Sequence, residues 1–125
     1  MHITTKTAAI IIGVSFVITA ILGFIPNPVV SPTGFFVVNT AHNLLHLIAG
    51  VGLLAAAFTA FGSGRALKIV GVVYGAVAIL GFTTGNGLLL GTILVNHTGH
   101  WIHLIGAVIF LAAGFLLPDD KAATA

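Results

Sequence analysis

The sequence has 125 residues, of which 58% are hydrophobic and 5% charged, with four Lys/Arg against two Asp/Glu and no cysteine. That excludes an ordinary soluble domain, in which about 25% of residues are charged, and it excludes a nucleic-acid partner, because Lys6, Arg65, Lys68 and Lys121 are scattered rather than clustered. Without a thiol there is no disulfide framework, zinc–thiolate site or iron–sulfur cluster, so any metal chemistry falls to His, Asn or backbone.

A membrane helix needs roughly 20 apolar residues, and four such runs fit in the chain. The first is Ala8 to Ile25, closed by Pro26-Asn27-Pro28. Lys6 ahead of an apolar stretch invites a signal-peptide reading, but the run is long and no small-x-small cleavage site precedes Pro26, so it is kept as a helix. The second runs from about Asn39 to Phe61 and ends at Gly62-Ser63-Gly64-Arg65. The third covers about Ala66 to Thr84, ended by Gly85-Asn86-Gly87, and the fourth about Asn96 to Leu117, ended by Pro118-Asp119-Asp120. Lys and Arg mark the cytoplasmic side of membrane proteins. Here they precede span one, separate spans two and three, and follow span four, which predicts both termini inside and the loops at about 26–38 and 85–95 outside. The second outer loop is too apolar to be fully solvated and is expected in the interface or as an extension of helix four. His2 is expected solvated in the N-terminal tail, and Trp101 is expected as an interfacial anchor.

The two halves of the chain match each other. At an offset of 58, Ile11 to Phe24 aligns with Ile69 to Phe82, with eight of fourteen positions identical. At an offset of 57, Asn39 falls on Asn96, His46-Leu47-Ile48 on His103-Leu104-Ile105, Leu54-Ala55-Ala56 on Leu111-Ala112-Ala113, and Phe58 on Phe115. The expected fold is therefore an all-α polytopic membrane four-helix bundle built from two tandemly duplicated transmembrane hairpins. It forms one membrane domain over 1–125, with repeat one at about 8–61 and repeat two at about 66–117. Hairpins of the same topology are related by an axis along the membrane normal, so matched residues should face each other near that axis. The pairs Gly71/Gly75 and Gly81/Gly85 suit close helix packing or an oligomer interface.

Polar side chains gather at the outer ends of helices two and four. At 100° per residue, Asn39, Asn43, His46 and Gly50 share an arc of about 60°, with His42 some 40° outside it. Asn96, His100, His103 and Ala107 share a similar arc on helix four, with His97 off it. Lipid offers such groups no partners, so the two stripes are expected to face each other. Three readings follow. The side chains pin helix register through hydrogen bonds worth about 0.6 to 2 kcal/mol each. They ligate a cofactor, either a single transition metal on His42, His46, His100 and His103 or haem b between His46 and His103, with Gly50, Gly99 and Gly106 leaving room for a porphyrin. Or they form a proton relay or polar substrate site. No carboxylate lies in any span, and no soluble-enzyme motif is present. Tyr74 replaces Phe16 under the repeat, so its hydroxyl is expected to be dispensable to the fold.

The run His42-Asn43-Leu44-Leu45-His46-Leu47-Ile48-Ala49-Gly50, then Gly71-Val72-Val73-Tyr74, then Asn96 to Leu104 resembles a bacterial four-helix membrane family catalogued as domain of unknown function 4383. The resemblance covers about 35–120 and rests on an H-N-x-x-H-L-x-x-G run, a G-V-x-Y and an N-T-A-D-N-x-L-H-L run. Where the last motif has Asp-Asn this chain has Gly99-His100, exchanging an acid for an imidazole. The resemblance implies a small inner-membrane protein of unassigned activity. The expected function is a non-enzymatic accessory or assembly subunit of a bacterial plasma membrane, in contact with lipid and with a larger complex or a second copy, whose His/Asn cluster is structural or binds haem b or a metal. The alternative is a small transporter or channel using the seam between helices two and four.

Overall fold

A computed structural model describes residues 3–119. His2, Asp120 and Lys121, on which expectations were placed above, lie outside the described residues. The chain is mostly helical: α1 (Thr5–Gly23), α2 (Thr40–Ala57), α3 (Ser63–Thr84) and α4 (His97–Leu116), each long and apolar enough to cross a membrane. Between them lie four short strands, β1 (Val30–Ser31), β2 (Phe36–Val37), β3 (Gly87–Leu89) and β4 (Ile93–Val95).

Local chemistry sets the helix ends. Thr4 caps α1, its side chain accepting from Thr7 N at 3.3 Å, so the helix starts ahead of the apolar run. Asn39 and Asn96 cap α2 and α4 in the same way, accepting from His42 N and Gly99 N. The second span is shorter than its apolar run, stopping at Ala57, with Phe58 N donating to Ala55 O at 3.1 Å in a closing turn. Gly62, at φ +95°, turns the chain directly into α3.

The loops joining α1 to α2 and α3 to α4 depart from an all-helical expectation. In the second, β3 and β4 pair antiparallel with Leu89 opposite Ile93, and Leu90 and Gly91 take positive φ at the turn. A hairpin satisfies the backbone of an apolar segment internally, which answers how so apolar a loop leaves the helices. In the first, Asn27 gathers the chain: its amide donates to Leu22 O and Val30 O, both at 2.8 Å, and its carbonyl accepts from Val29 N and Val30 N. The parallel pair of β1 with β2 follows, with Val30 opposite Phe36.

The principal helix contacts run within each hairpin, α1 on α2 and α3 on α4. Gly13 and Gly50 let the first pair approach: a Cβ on Gly50 would lie 2.8 Å from Gly13 O, and one on Gly13 would lie 3.0 Å from Gly50 O. In the second pair a Cβ on Gly71 would meet Leu111 at 2.7 Å, and one on Gly114 would lie 3.2 Å from Gly64 O. The hairpins meet at the centre, where Phe16 and Tyr74, matched at the offset of 58, stack at 5.2 Å, with Phe110 against both. Leu53, Ala56, Ala57, Leu67 and Phe110 fill the core beyond them. At the end where α1 and α3 begin, Thr5 donates to Pro118 O at 3.0 Å and to the Asp119 carboxylate at 3.2 Å. Lys6, Arg65 and Lys68 lie at this end, over Phe58, Phe61 and Phe115.

Candidate metal centre

The opposite end carries the polar cluster, and its placement starts from the two capping asparagines. Asn39 Oδ1 accepts from Leu94 N at 3.3 Å as well as from His42 N, and its amide donates to Thr92 O at 2.9 Å. Each cap therefore grips a strand of the other half: Asn96 Oδ1 accepts from Val37 N at 3.3 Å, and its amide donates to Phe35 O at 3.0 Å. This crossed latch draws β2 and β4 over the ends of α4 and α2. It buries Val38 and Val95 completely and lays Phe36 over the histidines beneath.

Under the latch, His42 and His46 sit one turn apart on α2 with ring centroids 4.4 Å apart. His103 reaches them from α4, at 5.3 Å from His42 and 6.2 Å from His46. One ring nitrogen from each of the three lies within 4.8 Å of the others. The walls are aromatic. Phe36 meets His42 edge-on at 5.3 Å, Phe16 lies 5.7 Å from His46, and Tyr74 lies 4.7 Å from His103.

His42 has a defined tautomer. Its Nδ1 lies 2.7 Å from Leu94 O, and a carbonyl only accepts, so Nδ1 carries the proton and Nε2 presents a lone pair. That Nε2, both nitrogens of His46, and Nδ1 of His103 are buried without a hydrogen-bond partner. A buried polar group left unpaired costs about 1–3 kcal/mol, and these three neighbouring rings carry four such nitrogens. Imidazole nitrogens bind Zn²⁺ at about 2.0–2.1 Å, which sets tetrahedral ligands about 3.3 Å apart, so nitrogens now within 4.8 Å of one another would have to close further to share one ion. The His42–Leu94 bond fixes the orientation of this ring, as such contacts do for imidazoles that ligate metals.

Three of the four histidines named from the sequence are thus brought together, and His100 is not. Its ring packs on Gly81 and Phe82, and its Nε2 lies 2.7 Å from Gly85 O. Asn43 makes the matching contact in the first hairpin, packing on Gly23. The two stripes accordingly do not face each other along their length: Asn43 and His100 turn toward the neighbouring helix of their own hairpin, because hairpin partners pack closest. Asn39 and Asn96 cap and latch, and His97 is exposed.

The glycines expected to leave room for a porphyrin are filled. A Cβ on Gly50 would meet Gly13 O and Phe16, one on Gly99 would meet Val95 and Phe36, and one on Gly106 would meet the Tyr74 ring at 3.0 Å. With His42 beside both His46 and His103, no porphyrin-wide slot separates that pair among the described residues. Sequence reasoning missed Phe36 and gave Tyr74 no part. The one available signal was that Tyr74 is the sole tyrosine in the chain and lies opposite Phe16 under the repeat.

A family profile described as Domain of unknown function (DUF4383) matches residues 6–116. The chain belongs to this DUF4383 family. No curated protein and no solved structure matches it. The family description assigns no activity, so the site is the ground on which function is argued. Within this DUF4383 chain, His42, His46, Tyr74 and His103, drawn from three separate motif runs, surround one point.

Proposed function

We propose that this protein is a non-enzymatic integral membrane protein that holds one transition-metal ion on His42, His46 and His103. One observation carries the reading: one ring nitrogen from each of three buried imidazoles on two helices lies within 4.8 Å of the others, and each ring carries a nitrogen without a hydrogen-bond partner. Neutral imidazoles without carboxylate or thiolate suit zinc or copper. Three protein ligands leave a coordination position open, which fits metal holding or delivery within a larger membrane assembly. The positions of Lys6, Arg65 and Lys68 favour both termini on the cytoplasmic side of a bacterial plasma membrane, with the centre in the outer leaflet. The reciprocal asparagine latches and the Phe16–Tyr74 stack support an origin by duplication of one hairpin. The transporter reading is disfavoured by Leu53, Leu67 and Phe110, which close the bundle on the cytoplasmic side of the histidines.

The test is metal analysis of protein purified from its native membrane and again after loading with Zn²⁺ or Cu²⁺. One ion per chain, lost on His46→Ala, supports the reading. A folded protein that takes up no ion overturns it.

A further inference from the structure

A cavity of about 220 Å³ opens between α2 and α3 and ends on His42, His46, His103 and Tyr74. Its mouth is apolar. Leu45, Ile48, Ile69 and Val73 line it and are about half or more exposed, and on helices that cross a membrane such surfaces face lipid. Its inner end is the reverse: His42, His46 and His103 are 2%, 3% and 2% exposed, and each carries an unpartnered nitrogen. The opening is therefore a path from the bilayer interior to the rings that carry these nitrogens, and a turn of a ring is needed to present a nitrogen to the cavity.

The chemistry of the walls narrows what enters. Among the described residues no cation lines the cavity, Lys6, Arg65 and Lys68 lying over Phe58, Phe61 and Phe115 at the other end of the bundle, so the head must be neutral. It must be flat, because it enters beside rings, with Tyr74 and His103 4.7 Å apart at the inner end. It must both accept and donate, because His42 Nε2 offers only a lone pair while neutral His46 offers one N–H and one lone pair. A tail lying in lipid completes the fit to the lateral mouth.

We propose that this cavity binds the head of a lipid-soluble quinone or quinol entering from the bilayer between α2 and α3. The carbonyl form accepts from the His46 N–H, and the hydroxyl form donates to His42 Nε2. The proposal shares these histidines with the metal reading but does not require the ion.

The experiment uses the full chain in phosphatidylcholine nanodiscs, with a decyl-tailed benzoquinone titrated by calorimetry into metal-free and metal-loaded samples. Saturable one-to-one binding to the metal-free protein is expected. Val73→Trp, which fills the mouth from a lipid-facing position, should weaken binding by about tenfold or more while leaving the metal content unchanged. Val72→Trp, equally exposed to lipid but outside the cavity, should bind as the wild type does. Non-saturable partitioning into the nanodisc, equal binding by Val73→Trp, or a tightly held phospholipid that the quinone does not displace would overturn the proposal. Quinone binding without metal uptake would remove the metal reading alone, and metal uptake without quinone binding would remove this one alone.

Discussion

Asn39 and Asn96 hold each other's halves of the molecule by the same two bonds in opposite directions. Asn39 binds Thr92 O and Leu94 N, and Asn96 binds Phe35 O and Val37 N, the positions that match at the offset of 57. Each also caps its helix, so one short side chain fixes the helix start and the lid over the histidines.

Replacing either asparagine with alanine should therefore cost a cap, worth about 1 kcal/mol, and two cross-half bonds of about 0.5–1.5 kcal/mol each. Asn39→Ala and Asn96→Ala are expected to lower the Tm of detergent-solubilised protein by similar amounts. A clear loss for one and none for the other would show that the latches are not equivalent.

The histidines divide into two groups by geometry. His42→Ala and His103→Ala should abolish metal uptake, whereas His97→Ala, on an exposed side chain, and His100→Ala, on a ring bound to Gly85 O, should retain it. Elemental analysis of the four variants checks this, and uniform loss would contradict the three-imidazole set.

His42 should be found as the Nδ1–H tautomer, because Leu94 O accepts from that nitrogen. Nitrogen-15 NMR of histidine-labelled protein reads the tautomer directly. On adding Zn²⁺, the Nε2 resonance of His42 should move while its Nδ1 stays protonated. Movement of both nitrogens would mean that the Leu94 contact breaks on binding.

Glycines beneath the polar side chains are expected to be intolerant. A Cβ on Gly81 would strike the His100 ring and one on Gly23 the Asn43 amide, so Gly81→Ala and Gly23→Ala should each destabilise by about 1–3 kcal/mol. Gly52→Ala, with nothing near its added methyl, should be neutral or stabilising. Thermal unfolding in one detergent compares the three, and a stable Gly81→Ala would contradict the packing of His100.

Much of this was legible in the sequence, since apolar length and glycine or proline punctuation mark the four helices, and the repeat offsets identify the residues that meet at the centre. The histidine pair on α2 follows from its spacing of one turn. The neighbour of each polar face was not legible. An arc on a helix says which residues lie together, and it does not say which helix they meet, so Asn43 and His100 shared a stripe with His46 and His103 while packing on Gly23 and Gly81 instead. Tyr74 was obscured because its repeat mate is Phe16, which made its ring look like ordinary core. The short strands escaped because an apolar loop resembles the end of a helix until its backbone partners are known, and for Thr92 and Leu94 those partners include a side chain more than fifty residues away.

The proposal that His42, His46 and His103 form one ligand set is tested by X-ray absorption of the purified protein loaded with Zn²⁺ or Cu²⁺. About one ion per chain is expected, with three nitrogens at about 2.0–2.1 Å and imidazole scattering beyond them. A folded protein with no stoichiometric ion, or an ion ligated by oxygen alone, would contradict it.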